Sequence, residues 1–342
     1  MVVNWATSRR LESEDAMIAA IREKSGTSNE AAPTWAADAG AGASGLAEVA
    51  AASALWVTAA LVVAATAAVT EAERQGSSAP RDLALGLERG LVYTTLPFEF
   101  AVIAIAGIVA GRAWDLSTGR RGRSTVVAAA AAAGALSLVR AAPAVVDRNR
   151  SAARWINGLP AVGVLLMLGL VAWTWRAGGL GRLTPGGRDD RRRLALGAAL
   201  TMLSLPWILA AAGIYSGDLP VLERIFLSKQ IDERTGEIAV HLGAHHGLNG
   251  ALLALSALIL GRAMPSLRHA RLRLALDRYL ALMLIYGIAC AISDTWNEQV
   301  VKRGWSRRVV PPLSTARLAS EFAVVVIAAL GVVWVVLSRR RR

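Results

Sequence analysis

Three of the four histidines in this chain fall within six residues of one another: His241, His245 and His246. Read as a helix, Glu237, His241, His245 and Asn249 recur at every fourth position and share one face, with His246 beside them. Two histidines at i and i+4 can hold one metal ion, and a catalytic zinc takes three protein ligands while keeping a position for water. The spacing therefore predicts a divalent metal, zinc first, on His241 and His245, with His246 or Glu237 completing the set. A second period of four runs through Tyr286, Cys290, Asp294, Glu298 and Lys302. Asp294 or Glu298 would then serve as general base toward a metal-bound water, whose pKa the metal lowers to near neutrality. Arg140 would neutralise an anionic group, and Glu99 joins it as a charged residue inside an apolar run. Asn249, Trp296 and Glu321 are the candidates for substrate contact.

Each of these residues also has a structural reading. The histidines suit a helix end facing water. Glu99 and Arg140 suit an ion pair between two helices, and Asp294 and Glu298 suit caps on an exposed helix end. Glu321, close to its boundary, can extend its carboxylate to the interface.

The elements that must position these residues are long and apolar. Of 342 residues, 54% are hydrophobic, and they occur in runs of about 20, the length that crosses about 30 Å of hydrocarbon. Such runs lie near 49–70, 91–111, 125–146, 156–176, 194–215, 242–262, 274–293 and 318–337. The expected fold is all-α, a polytopic integral membrane helical bundle of about eight transmembrane helices. Residues 1–48 form a largely flexible cytoplasmic tail, 49–337 the membrane domain with an outer loop over 216–240, and 338–342 a basic cytoplasmic tail. The loop stretch from Leu219 to Ile231 suits a helix lying in the outer interface.

Charge sets the orientation. The net charge of +13 would suggest nucleic acid in a soluble protein. Here the arginines cluster in alternate short loops: Arg112 to Arg123, Arg176 to Arg193, Arg262 to Arg273, and Arg339 to Arg342. Positive loops stay on the cytoplasmic side, which gives both termini inside and predicts no nucleic-acid partner. The loop 294–318 is basic yet falls outside, the one exception. On this count the histidines, Asp294 and Glu298 fall at the outer side, with Glu99, Arg140 and Glu321 in the outer halves of their spans.

Several chemistries are excluded. The single cysteine, Cys290, rules out a disulfide framework and a cysteine zinc ribbon. His241-x-x-x-His245-His246 resembles a histidine box of the membrane desaturases, but four histidines are too few for that family's set. A bis-histidine haem would need a ligand facing the cluster, and His269 sits at the opposite side. No lysine lies in a span for a retinal Schiff base, and phosphate-binding glycine fingerprints are absent.

The leading expectation is a metal-dependent hydrolase in a bacterial cell membrane, acting on a lipid or lipid-linked substrate that enters sideways from the bilayer. The competing expectations are a proton- or cation-coupled transporter and a non-catalytic subunit of a membrane complex. A transporter calls for polar groups at several depths and for broken spans. Pro97, and Pro206 with Trp207, are the places where spans 2 and 5 could break. The inner halves of the spans read as apolar, which ranks the enzyme first.

Overall fold

The structure is a computed structural model. It describes residues 46–75, 80–116, 120–138, 158–178, 188–212 and 246–310, with isolated positions between 214 and 231 and at 313. The described residues from Leu46 onward belong to one compact unit, Gly42–Arg342. Among the described residues the regular elements are helical: α1 (Leu46–Gln75), α2 (Pro80–Leu116), α3 (Arg120–Leu138), α4 (Gly158–Gly178), α5 (Arg188–Leu203), α6 (Leu205–Ala211), α7 (His246–Leu260) and α8 (Ala270–Thr295). A 3₁₀ turn, Gly261–Ser266, follows α7, and a π-helical turn, Trp296–Val301, follows α8.

Among the described residues, three stretches are long and apolar enough to cross a membrane: Leu46–Val69, Gly247–Ser266 and Ala270–Val301. The bent pair α5–α6 makes a fourth if it counts as one span. Seven of the expected segments coincide with helices, although α3 ends at Leu138 and residues 139–146 lie outside the described residues. The eighth segment, 318–337, the outer loop helix and the N-terminal tail also lie outside them.

The membrane stretch of α7 is 72% buried, against 33% for that of α1 and 39% for that of α8. So α7 is the axis of the bundle, packed against α8, α1, α2 and α5. Helices in lipid gain little from hydrophobicity when they associate, so small residues that admit close backbones decide their contacts. Gly250 and Gly287 face each other in that way. A Cβ on Gly250 would lie 2.6 Å from the Gly287 carbonyl oxygen and from Cys290 Cβ, and one on Gly287 would lie 2.8 Å from the Ala254 nitrogen. Backbone meets backbone there, so neither neighbour can yield by turning a side chain.

Two prolines act as the chain's chemistry requires, and one does not. Pro265 has no N–H for the α-helical ladder, and α7 tightens into its 3₁₀ turn there before leaving extended at Leu267. Pro206 sits at the start of α6, and the axis bends by 59° between α5 and α6 at Ser204. Span 2 does not break: α2 runs as one 37-residue helix through Pro97.

The Gly287→Ala variant is expected to lower the unfolding temperature of the detergent-solubilised protein sharply, as overpacking costs about 1–3 kcal/mol or more. Gly134→Ala is the control, since a Cβ there meets nothing within 4 Å, and replacing a helical glycine gains up to about 1 kcal/mol. Equal melting shifts of the two variants would refute the backbone contact.

Candidate functional site

The helix crossing carries side chains to three levels of the bundle. At the level where α7 begins, Asp294 of α8 accepts a hydrogen bond through Oδ2 from the Gly247 N–H at 2.9 Å. The first N–H groups of a helix have no partner inside it, so a buried carboxylate from the neighbouring helix caps α7 and meets the positive end of its dipole. Asp294 is 7% exposed and Asn249, one turn further, is 6% exposed. Trp207 packs its ring on Gly247, where no side chain would fit. Its indole N–H is buried and has no acceptor. This level is closed on α1 by Thr66, whose hydroxyl donates to the Ala211 carbonyl at 2.6 Å.

Just beyond Asp294 the helix widens into the π turn that carries Glu298, which is buried and paired with Lys302. The chain then folds back. Asn297 holds Val310 at both backbone groups, at 2.8 and 3.0 Å, and Trp296 Nε1 donates to the Arg308 carbonyl at 2.7 Å. Gly304, at φ 77°, makes the reversal, a conformation costly for other residues. Trp296, a candidate for substrate contact, therefore fastens this strap.

The middle level is mostly apolar. Trp56 stacks on Phe98 at 5.0 Å between ring centroids and donates to the Ser256 hydroxyl at 2.7 Å. The Tyr279 hydroxyl donates to the Phe100 carbonyl at 2.8 Å. Glu99 lies between these two residues of α2 and is 3% exposed. From Ser256 to Gly247 is about 13 Å along α7, and from Tyr279 to Asp294 about 22 Å along α8, at 1.5 Å per residue. Glu99 thus does not share the layer of Asp294. The expectation of a single outer layer is corrected here, because α2 begins at Pro80 and Glu99 falls at its midpoint.

The opposite end holds charges that the sequence reading assigned only to topology. Glu48, in the first turn of α1, is fully buried and faces Arg262 at 3.9 Å. Arg262 also reaches Asp190 at 3.5 Å, and Asp190 pairs with Arg193 at 3.7 Å. Both carboxylates sit in first turns of helices and Arg262 follows the end of α7, so each charge also suits its helix dipole. Arg112, 4% exposed, donates to the Ser266 carbonyl at 3.2 Å and satisfies part of the open end after α7. No pattern in the sequence alone separates these arginines from those that only mark the cytoplasmic side.

The remaining candidates do not meet in the described residues. Glu237, His241, His245, Arg140 and Glu321 lie outside them, as does the side chain of His246, whose backbone opens α7. Among the described residues no group of three or more His, Cys, Asp or Glu is arranged to hold a metal ion. Comparison with protein-family models, with characterised proteins and with solved structures finds no match to this chain.

Removing Arg262 leaves Glu48 buried beside a lost charge, a change that costs about 3–5 kcal/mol in buried pairs. Arg262→Met is expected to lower the unfolding temperature strongly, and Glu48→Leu added to it to restore most of the loss. A double variant no more stable than the single one would show that the two charges do not act as a pair.

Proposed function

We propose that the chain is a multi-span membrane transporter that relays a proton or binds a small cation, with eight spans and both termini in the cytoplasm of a bacterial cell. The observation that carries this reading is Glu99, buried at mid-height of the bundle between the charged groups at its two ends. An ionised side chain at that depth costs at least about 2.5 kcal/mol on insertion scales unless a proton, a cation or a partner accompanies it. Acidic groups stand at three levels: Glu48, then Glu99, then Asp294 and Glu298. The break between α5 and α6 supports the same reading, because transporters commonly interrupt helices beside their binding sites. The buried charges Glu48 and Arg112 at the opposite end of the bundle lie at the ends of their apolar runs and would give a transport path its second mouth.

In this reading Glu99 carries the proton or faces the cation, while Asn249 and Asp294 form the outer approach beside Trp207. Glu48 with Arg262 closes the inner end. Reconstituted in vesicles with an internal pH dye, the protein is expected to move protons or sodium under an imposed gradient and voltage. Glu99→Gln, which keeps size and loses ionisation, is expected to reduce that flux at least tenfold, a loss of about 1.4 kcal/mol in barrier terms. Vesicles no more permeable than empty ones to either ion, under either sign of voltage, would end this reading.

The Asp294–Gly247 hydrogen bond favours a second one. It sets a carboxylate on Gly247, which follows His245 by two positions in the sequence, and a metal-dependent hydrolase acting on a lipid or lipid-linked substrate would need a base near its metal. Zinc would then be held by His241, His245 and either His246 or Glu237, with Glu298, Arg140 and Glu321 around it. About one equivalent of metal in the purified protein, lost in a folded His241→Ala/His245→Ala variant, is the expected result under this reading. Metal-free protein after attempted reloading would remove it.

A further inference from the structure

Beside the charged cluster at the inner end, α5 and α7 enclose a cavity of about 510 Å³. That is the volume range of a ligand site. Its walls are apolar: Gly197 brings α5 to within contact of Leu255 and Leu258, and Leu194 and Met202 leave the trough open at 75% and 63% exposure. Its one polar end is formed by Arg193, Arg262 and Asp190. Glu48 lies behind Arg262 and does not line it. The lining therefore carries two arginines against one aspartate, and Arg191 and Arg192 stand exposed on the same turn.

We propose that this trough binds one anionic phospholipid of the cytoplasmic leaflet, its phosphate between Arg193 and Arg262 and one acyl chain along Gly197, Thr201 and Leu255. Three observations carry the choice of occupant. The trough is open along its length on the side away from α7, as a lipid tail requires. Its charge is confined to one end, as in an amphiphile. That end presents two guanidinium groups to the trough, Arg193 and Arg262, and guanidinium groups pair with phosphate through two parallel hydrogen bonds. Basic pockets between membrane helices on the cytoplasmic side are where anionic headgroups bind. A zwitterionic lipid would bring its own cation to a site that already has two. Asp190 contacts both arginines, at 3.7 and 3.5 Å, and holds them together at this end of the trough. The inference does not depend on what the middle and outer levels transport or catalyse.

The test counts bound lipids by native mass spectrometry of the full chain from nanodiscs of phosphatidylglycerol or phosphatidylcholine. One retained phosphatidylglycerol is expected, with no comparable phosphatidylcholine. Arg193→Gln is expected to weaken it about fivefold, the effect of about 1 kcal/mol per basic residue. Ala198→Trp, which fills the trough and leaves the charges in place, is expected to abolish it. Arg191→Gln is the control for general surface charge and is expected to change little. Equal retention of both lipids, or equal losses in the Arg191 and Arg193 variants, would overturn the proposal. So would a crosslink in membranes between Met202→Cys and Val325→Cys in a Cys290→Ser background, because the chain itself would then occupy the trough. Melting curves of each variant separate lost binding from lost fold.

Discussion

The backbone contact of α7 with α8 at Gly250 and Gly287 is the constraint on which the rest of the bundle depends. In lipid the flanking leucines and valines gain nothing by choosing protein over acyl chains, so register must come from shape. The two glycines leave only one register at which the helices can close. Once it is taken, Asp294 stands opposite Gly247 and caps α7, and the other end of α7 carries Arg262 to Glu48 and Asp190. Polar contacts at both ends of α7 are thus placed by the absence of two side chains, one at Gly250 on α7 and one at Gly287 on α8. Trp207 on Gly247 repeats the device on a smaller scale.

The burial of charge follows from that placement. Glu48 is tolerable at full burial because Arg262 faces it and because it occupies the first turn of α1, where the helix dipole favours an anion. Asp294 is tolerable because it accepts an N–H that would otherwise be unmet. Each end of the bundle therefore has a local electrostatic reason for its acid. Glu99 has neither a helix terminus nor a first turn, since it sits in the middle of a 37-residue helix. This difference in backbone context is why the transport reading is tested first at Glu99.

Much of the scaffold was legible in the sequence. Apolar runs of the right length marked seven helices, and the period of four in 286–302 marked the face of α8 that meets α7. The bend at Pro206 was also legible, because a residue without an N–H interrupts a ladder wherever it falls inside one. Pro97 carried the same signal without the same result. The depth of Glu99 was misread for a related reason: hydropathy locates the apolar part of a helix but not its polar extension, and α2 continues eleven residues before the run begins. The cluster of Glu48, Arg262 and Asp190 was hidden by its own composition. Arginines in short loops satisfy the orientation rule on their own, and nothing in a single sequence tells an arginine that marks a side from one that reaches back to a buried glutamate.

The same ambiguity governs the outer end. A carboxylate capping a helix and a carboxylate serving as a base occupy the same place, because the N-terminus that orients an anion also lowers the cost of keeping it ionised. Asp294 is committed through Oδ2 to Gly247, and Glu298 to Lys302, so both are held rather than mobile. Fixed carboxylates suit an approach that selects by charge more than a relay that must change protonation at each step. At the middle level Trp56, Ser256 and Tyr279 satisfy one another or the backbone, beside the two α2 residues that flank Glu99 in the chain. Among the described residues Glu99 is the buried acid of this mostly apolar midsection, and in the transport reading it is where a bound proton or cation would be accommodated. The arrangement of fixed charges at the ends and one in the centre is what a transport cycle can use and what a surface-accessible hydrolase has no need to build.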